Sequence, residues 1–385
     1  MNESHPMPSQ VPPLTPTQGD DLSRQPSLWK RALLVALRGF LSFVGLALLL
    51  LLTFVVLRIP PLKAMQTLWE GAFGSAEEGH WYALSATLVQ TTPLLLTSLS
   101  IVIAWRAGLF SIGAQGQLLI GALAATALAR IGEHWPAVCL QAGMLAVGVT
   151  GGAIWGWIAG WLRTRRNVQE VISTIMLNYI AQYLVSWLIL GILREKGGHL
   201  SESETLPGPV LFARLIPMAW SDGIQTSLHT GVLFALIAVP VIAVLLFRTP
   251  WGFELRVLGQ NAEAARVARY PSNGLRLQAM TLSGALCGLA GVIELLGSST
   301  GSLPASGFAY GVGFTAIPVA LLGGLHPIGI LFSSLFFGAL TQGSRNLEQN
   351  AGVSSVLIYI IQAVAVLTVV GVRAWQARHT TGETE

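Results

Sequence analysis

The chain has 385 residues, of which 52% are hydrophobic and only 10% charged, with a mean hydropathy of +0.62. Soluble domains carry about a quarter charged residues, so this composition leaves too little polar surface for a water-soluble globule. The net charge of +4 and pI near 9.3 fit basic residues grouped in the loops of a membrane protein. No basic run interleaved with aromatics points to nucleic acid.

Residues 1–28 are rich in Pro, Ser, Gln and Thr without an apolar period, which predicts a disordered cytoplasmic tail. Lys30 and Arg31 precede the apolar run Leu33–Leu57, which continues into Arg58-Ile-Pro-Pro without a cleavage site. That run is longer than a signal-peptide core and reads as an uncleaved first span. Nine further spans are expected near 83–104, 112–129, 137–161, 170–193, 230–247, 276–297, 313–324, 327–341 and 355–372. Around Gly323-Gly324-Leu325-His326-Pro327, two short helices meeting at a break compete with two full spans.

The expected fold is therefore an all-α integral membrane protein of about ten transmembrane helices. Pro93 and Gly113-Ala-Gln-Gly116 interrupt the first half, and Pro318 with Gly323-Gly324 interrupts the second. Such broken helices at corresponding places point to an inverted repeat around a midplane site. The transmembrane domain is placed at 29–373, followed by a short cytoplasmic tail at 374–385. Lys and Arg gather in the segments that an inside N-terminus makes cytoplasmic, so both termini are expected in the cytoplasm.

The connection over 248–275 is too long for a mere loop. Asn261 is a good N-cap, Glu263 suits a first turn, and Pro271 with Asn273-Gly274 breaks the helix, which predicts two short hooked helices at the membrane surface. No GxxxxGK[ST] loop occurs, and the three lysines (Lys30, Lys63 and Lys196) lie in no such setting. The chain carries no nucleotide-hydrolysing motif of its own. Cys139 and Cys287 have no partners at metal-ligand spacing and read as small hydrophobes. His326, beside a proline, reads as a turn residue. No enzymatic, cofactor or metal site is expected.

Polar side chains within spans face a bundle interior or a wet cavity, because leaving them in lipid is costly. The candidates are Gln90 and Thr91 in the second span, and Gln115 and Gln117 in the third. The fifth offers Thr174, Asn178, Tyr179 and Gln182, with 170/174/178 and 179/182/183 at helical neighbour positions. Glu294 ends the seventh, and Phe308 follows in an outer loop. For each one, interhelical hydrogen bonding is the competing explanation. As a set they suit the path of a neutral hydroxylated solute with a ring to stack.

Four stretches resemble the permease subunits of bacterial ABC importers for nucleosides and simple sugars. Leu109-Phe-Ser-Ile-Gly-Ala-Gln-Gly-Gln-Leu-Leu-Ile-Gly-Ala122 is similar to that family's asparagine-Ile-Gly-Val-Glu-Gly-Gln signature. Glu170 to Ala181, Gly252 to Gly291, and Ile317-Pro-Val-Ala-Leu-Leu-Gly-Gly-Leu-His-Pro-Ile-Gly329 resemble further family motifs in the same order. Ser111 and Gln115 stand where the family carries asparagine and glutamate, and Ala268-Arg-Tyr-Pro271 replaces a common Ala-Gly-Ile.

The resemblance implies a permease that pairs with an identical or homologous second permease subunit. It also implies a separate ABC ATPase subunit and an extracytoplasmic solute-binding protein, all at the bacterial inner membrane. By the same resemblance Arg256, Gly259, Asn261, Ala264 and Ala265 couple the chain to the ATPase. Two rival readings remain. An ion-gradient-driven secondary transporter of a small polar solute needs an intramembrane acid, for which Glu294 is the candidate. A scaffolding membrane protein would bind no solute.

Overall fold

The structure is a computed structural model; it describes residues 61–74, 80–195, 197, 200–216, 226–309, 311–351, 360, 362 and 363. The predicted tails, the first span at 33–57 and nearly all of the last at 355–372 lie outside the described residues.

The described helices are α1 (Pro61–Phe73), α2 (His80–Arg106), α3 (Ala114–Ile131), α4 (Ala137–Arg166), α5 (Glu170–Leu190), α6 (Gly231–Arg248), α7 (Pro250–Gln260), α8 (Ala262–Val267), α9 (Ser272–Gly297), α10 (Val312–Leu322) and α11 (Pro327–Ala351). Six of them, α2 to α6 and α9, are long and apolar enough to cross a membrane. Among the described residues the chain forms no strand, only isolated bridges in the loops between α5 and α6 and after α9. With no water in a bilayer core, helices satisfy their own backbone groups, so this all-helical composition follows from the apolar sequence.

Three expectations change in detail. α2 and α10 run through Pro93 and Pro318, so the breaks fall instead at 107–113 and at the turn after Gly323. The span expected at 313–324 is α10, 11 residues and half a membrane long. It turns at Gly324 (φ 67°) and Leu325 (φ 54°) into α11, which runs for 25 residues. A short helix and a long one therefore meet at the break. The sequence reading also passed over α1, whose 13 residues follow the first apolar run and pack on α11.

The centre of the bundle is the pairing of α9 with α4, flanked by α2 and α3. Gly148, Gly152, Gly156 and Gly160 repeat every four residues along α4, and Gly284 and Gly288 line the facing side of α9, while Gly291 lies against Leu118 and Ala122 of α3. A Cβ on Gly288 would lie 3.0 Å from the Gly152 Cα, and one on Gly284 3.0 Å from the Gly156 Cα. Lipid supplies no hydrophobic drive between helices, so close backbone packing over small residues holds such a pair together. α2 is the most enclosed span, with Ser98 and Ser100 satisfied by Ala316 O on α10 and by Ser283 and Cys287 on α9.

Candidate functional site

Residues 107–113 leave α2 through Gly108 (φ 73°) and rise without helical structure to the start of α3. Their backbone groups need partners, and α5 supplies them. Asn178 Nδ2 donates to Ile112 O (2.8 Å), Asn178 Oδ1 accepts from Gly116 N (2.8 Å), and Thr174 Oγ1 accepts from Ile112 N (3.2 Å). The interruption in the third span is thus stitched to the fifth by the residue types singled out in the sequence.

Gln115 makes a second pair of bonds, away from α5. Its Nε2 donates to Ala309 O (3.1 Å) and its Oε1 accepts from Gly313 N (2.8 Å). One carbonyl and one N–H fix which end of the amide is which. Only an amide serves both. A carboxylate could accept from Gly313 but would face the Ala309 carbonyl with like partial charge.

Between these stitches lies a cavity of about 400 Å³, within the size range of small-molecule sites. Its walls are Gln115 and Leu119 of α3, Asn178, Tyr179, Gln182, Tyr183 and Val185 of α5, the 304–308 stretch, Gly311, and Phe314 of α10. No charged side chain lines it among the described residues. The loop wall is pinned from outside: Ser186 Oγ donates to Ala305 O (2.6 Å), Ala305 N donates to Ser201 O (2.8 Å), and Ser203 N donates to Leu303 O (3.0 Å). Gly307 (φ 83°), Ala309 (φ 44°) and Gly311 (φ 77°) give that loop its left-handed turns.

Of the ten path candidates, the structure brings Gln115, Asn178, Tyr179, Gln182 and Phe308 to this cavity. Thr174 sits one turn below, buried and bonded to Glu170 O (2.7 Å) as well as Ile112. Thr91 is buried and bonds back to Thr87 O (2.8 Å) where α2 meets Gly338 of α11. Gln117 is 2% exposed with its Oε1 unpartnered, and it does not line the cavity. Gln90 belongs to a different cavity of about 450 Å³, together with Glu70, Tyr82, Gln342 and Arg345. Glu294 is half-buried on α9 within electrostatic reach of Arg345, away from the tyrosine-lined cavity.

The sequence reading missed Ser306, Gly311 and Phe314. Phe314 opens a short helix that resembles an ordinary apolar span, and its cavity-facing role depends on the preceding turn. Tyr183 stood among the polar groups of the fifth span, at the position next to Gln182.

The 248–275 connection folds as α7 and α8, hooked at Asn261. Thr249 caps α7 by accepting from Gly252 N (3.1 Å), and Asn261 caps α8 by accepting from Glu263 N (3.0 Å) and Ala264 N (3.1 Å). The five coupling candidates divide by face. Asn261 and Ala264 are exposed, while Ala265 is buried. Gly259 has its Cα against Gly108, since a Cβ on Gly108 would lie 3.3 Å from it. Arg256 turns inward, 5.0 Å from the Phe247 ring centroid. Val267 and Phe253, 81% and 53% exposed, are the large apolar side chains that the hook presents outward.

Comparison with known proteins agrees with this architecture. The family described as branched-chain amino acid transport system / permease component matches residues 83–366. The chain is 38% identical over 292 residues to a glucose ABC transporter permease protein of Haloferax volcanii, covering 74% of this chain and 75% of that one. It is 35% identical over 305 residues to a guanosine ABC transporter permease protein of Bacillus subtilis, covering 78% and 83%. A nucleoside ABC transporter permease protein of Lactococcus lactis subsp. cremoris is 30% identical over 309 residues, covering 80% and 82%. With its apolar spans and its match across most of its length, the chain belongs to the permease-component family of ABC transport systems and is a multi-pass membrane permease, not an enzyme.

Proposed function

We propose that this permease imports nucleosides, with simple sugars as the second substrate class, by alternating access driven by a separate ATPase subunit. The observation that carries the reading is the uncharged, ring-lined cavity between α3, α5 and α10. Tyr179, Tyr183, Phe308 and Phe314 offer faces for a flat heterocycle, and Gln182 and the tyrosine hydroxyls offer bonds to hydroxyl groups. A phosphorylated solute would find no cation there among the described residues. Relatives that carry guanosine and nucleosides, by their names, support the same class.

In this reading the α7–α8 hook rests on the ATPase through its exposed face, Asn261, Ala264 and Val267, and Arg256, Gly259 and Ala265 hold the hook to the bundle. A second permease subunit and an extracytoplasmic binding protein complete the importer, in the bacterial inner membrane with both termini in the cytoplasm.

The test is uptake by the assembled importer in proteoliposomes, with tritiated guanosine, adenosine and glucose offered separately. ATP-dependent nucleoside uptake is expected. Tyr183→Ala should lower it about tenfold, since one stacking contact contributes roughly 1–3 kcal/mol. ATP-dependent glucose uptake without nucleoside uptake would reverse the order of substrates.

A further inference from the structure

We infer that α10 is a strut carrying movement of the α7–α8 hook to the wall of the cavity, with Phe247 seating its lower end and Gln115 fastening its upper end. The inference rests on the importer reading and deepens it.

The lower end is a cluster around one ring. Phe247, next to last in α6, has the Arg256 guanidinium of α7 5.0 Å from its centroid and the Arg106 guanidinium of α2 at 5.8 Å. The His326 ring stacks on it at 5.0 Å with an interplanar angle of 29°. Arg106 also donates from Nη2 (2.9 Å) and Nε (3.3 Å) to Leu325 O, in the turn that ends α10. The hook, the end of α2 and the α10–α11 turn therefore meet at one aromatic side chain. Cation–π and stacking contacts at this ring hold the three elements together.

The upper end is the Gln115 fastening. Gly313 N donates to Gln115 Oε1, and a Cβ on Gly313 would lie 2.5 Å from the Gln115 Cα, so the first turn of α10 lies directly on that of α3. One residue on, Phe314 lines the cavity.

Between these ends are 11 residues, about 16 Å of helix at 1.5 Å per residue, roughly half of a ~30 Å hydrocarbon core. Left-handed residues flank both ends: Ala309 and Gly311 above, Gly324 and Leu325 below. The helix buries one face, Gly313, Ala316, Val319 and Ala320, and leaves Phe314 48% exposed. α2 also joins the two levels, but it is enclosed along most of its length and has less room to shift. A short helix between two turns, packed on one side and with Pro318 inside it, is suited to shifting between its two anchored ends.

Spin labels at Phe314→Cys and Tyr183→Cys, in a Cys139→Ser background, report the cavity width; Cys287 is fully buried. The assembled importer in nanodiscs is compared without nucleotide and trapped with ATP and vanadate, which requires no knowledge of the solute. The unsubstituted hub should show a resolved change in the label distance. Phe247→Leu should cut that change by at least half while vanadate trapping persists, and Phe247→Tyr should restore it. His326→Ala removes an exposed ring from the same cluster and should reduce the change in the same direction, which keeps the test open if Phe247→Leu does not assemble. A full distance change in either disrupted variant overturns the strut. So does an importer with the hub intact that traps vanadate without any distance change. A chain that binds no ATPase subunit at all instead overturns the importer reading beneath it.

Discussion

Asn178 and Gly116 hold α5 and α3 in backbone contact: the Gly116 N–H donates to Asn178 Oδ1 at 2.8 Å, and a Cβ on Gly116 would lie 2.9 Å from the Asn178 Cα. Both ends of this amide are committed, because Nδ2 holds Ile112 O. Asn178→Leu leaves a buried N–H and a buried C=O without partners, at about 1–3 kcal/mol for each group. The expected outcome is a clear drop in thermal stability in detergent along with lost uptake. Asn178→Asp keeps the bond from Gly116 but sets a carboxylate oxygen against Ile112 O, so it should also lower stability. A leucine variant of unchanged melting temperature would show the stitch to be unimportant.

Gln115→Glu places a carboxylate beside Ala309 O while retaining the bond from Gly313 N. The 307–313 turn should loosen, seen as faster amide hydrogen exchange there with little change in α4 or α9. Unaltered exchange would mean that the loop is held from its outer side alone, through Ser186 and Ser201.

At the centre of the bundle, Gly288→Leu has no space to enter, since its side chain would meet the α4 backbone. Overpacking of this kind costs about 1–3 kcal/mol and often more, and the expected result is little folded protein in the membrane. Leu282→Ala on a half-buried position of the same helix serves as a control and should accumulate normally.

Arg269 adopts φ 61° at the exit from α8. A non-glycine residue in that region costs roughly 1–2 kcal/mol, and glycine adopts it freely. Arg269→Gly should therefore raise stability slightly, by up to about 1 kcal/mol after the entropy of the unfolded glycine is counted. A lower melting temperature would show that the arginine side chain makes up for its backbone.

His229, outside the spans at the entry to α6, is 2% exposed, accepts from Gly231 N (3.1 Å) and stacks on Phe212. Burial first, and the Arg214 charge second, hold its pKa down at about 4 against an ordinary 6.5. Between those two values the unfolded chain binds more protons than the folded one, so stability falls as pH drops from 6.5 to about 4. The full loss is ~3 kcal/mol. Melting curves at pH 7 and 4.5 should diverge, and His229→Asn, which keeps an acceptor for Gly231, should remove this group's share of the difference.

The spans were legible because lipid imposes a plain rule on composition, and the hook was legible because Asn261, Pro271 and the Asn273-Gly274 pair carry local capping and breaking signals. Asn178 and Gln115 stood out as amides where lipid would not tolerate them. Their detailed use was not readable, since it depends on which backbone groups residues 107–113 and 309–313 leave open. Gln90 and Gln115 look equivalent in sequence yet open onto different cavities, because only packing decides which face of a helix meets which neighbour. Phe247 gave no signal at all: it closes an apolar run, and its ring contacts come from three separate elements.

The amides of Gln115 and Asn178 are spent on holding helices together, so in the proposed reading a guest between α3 and α5 is gripped by few groups. Its residence should be brief, governed by ring faces and a handful of exchangeable bonds. Loose tenancy of this kind favours throughput over long retention.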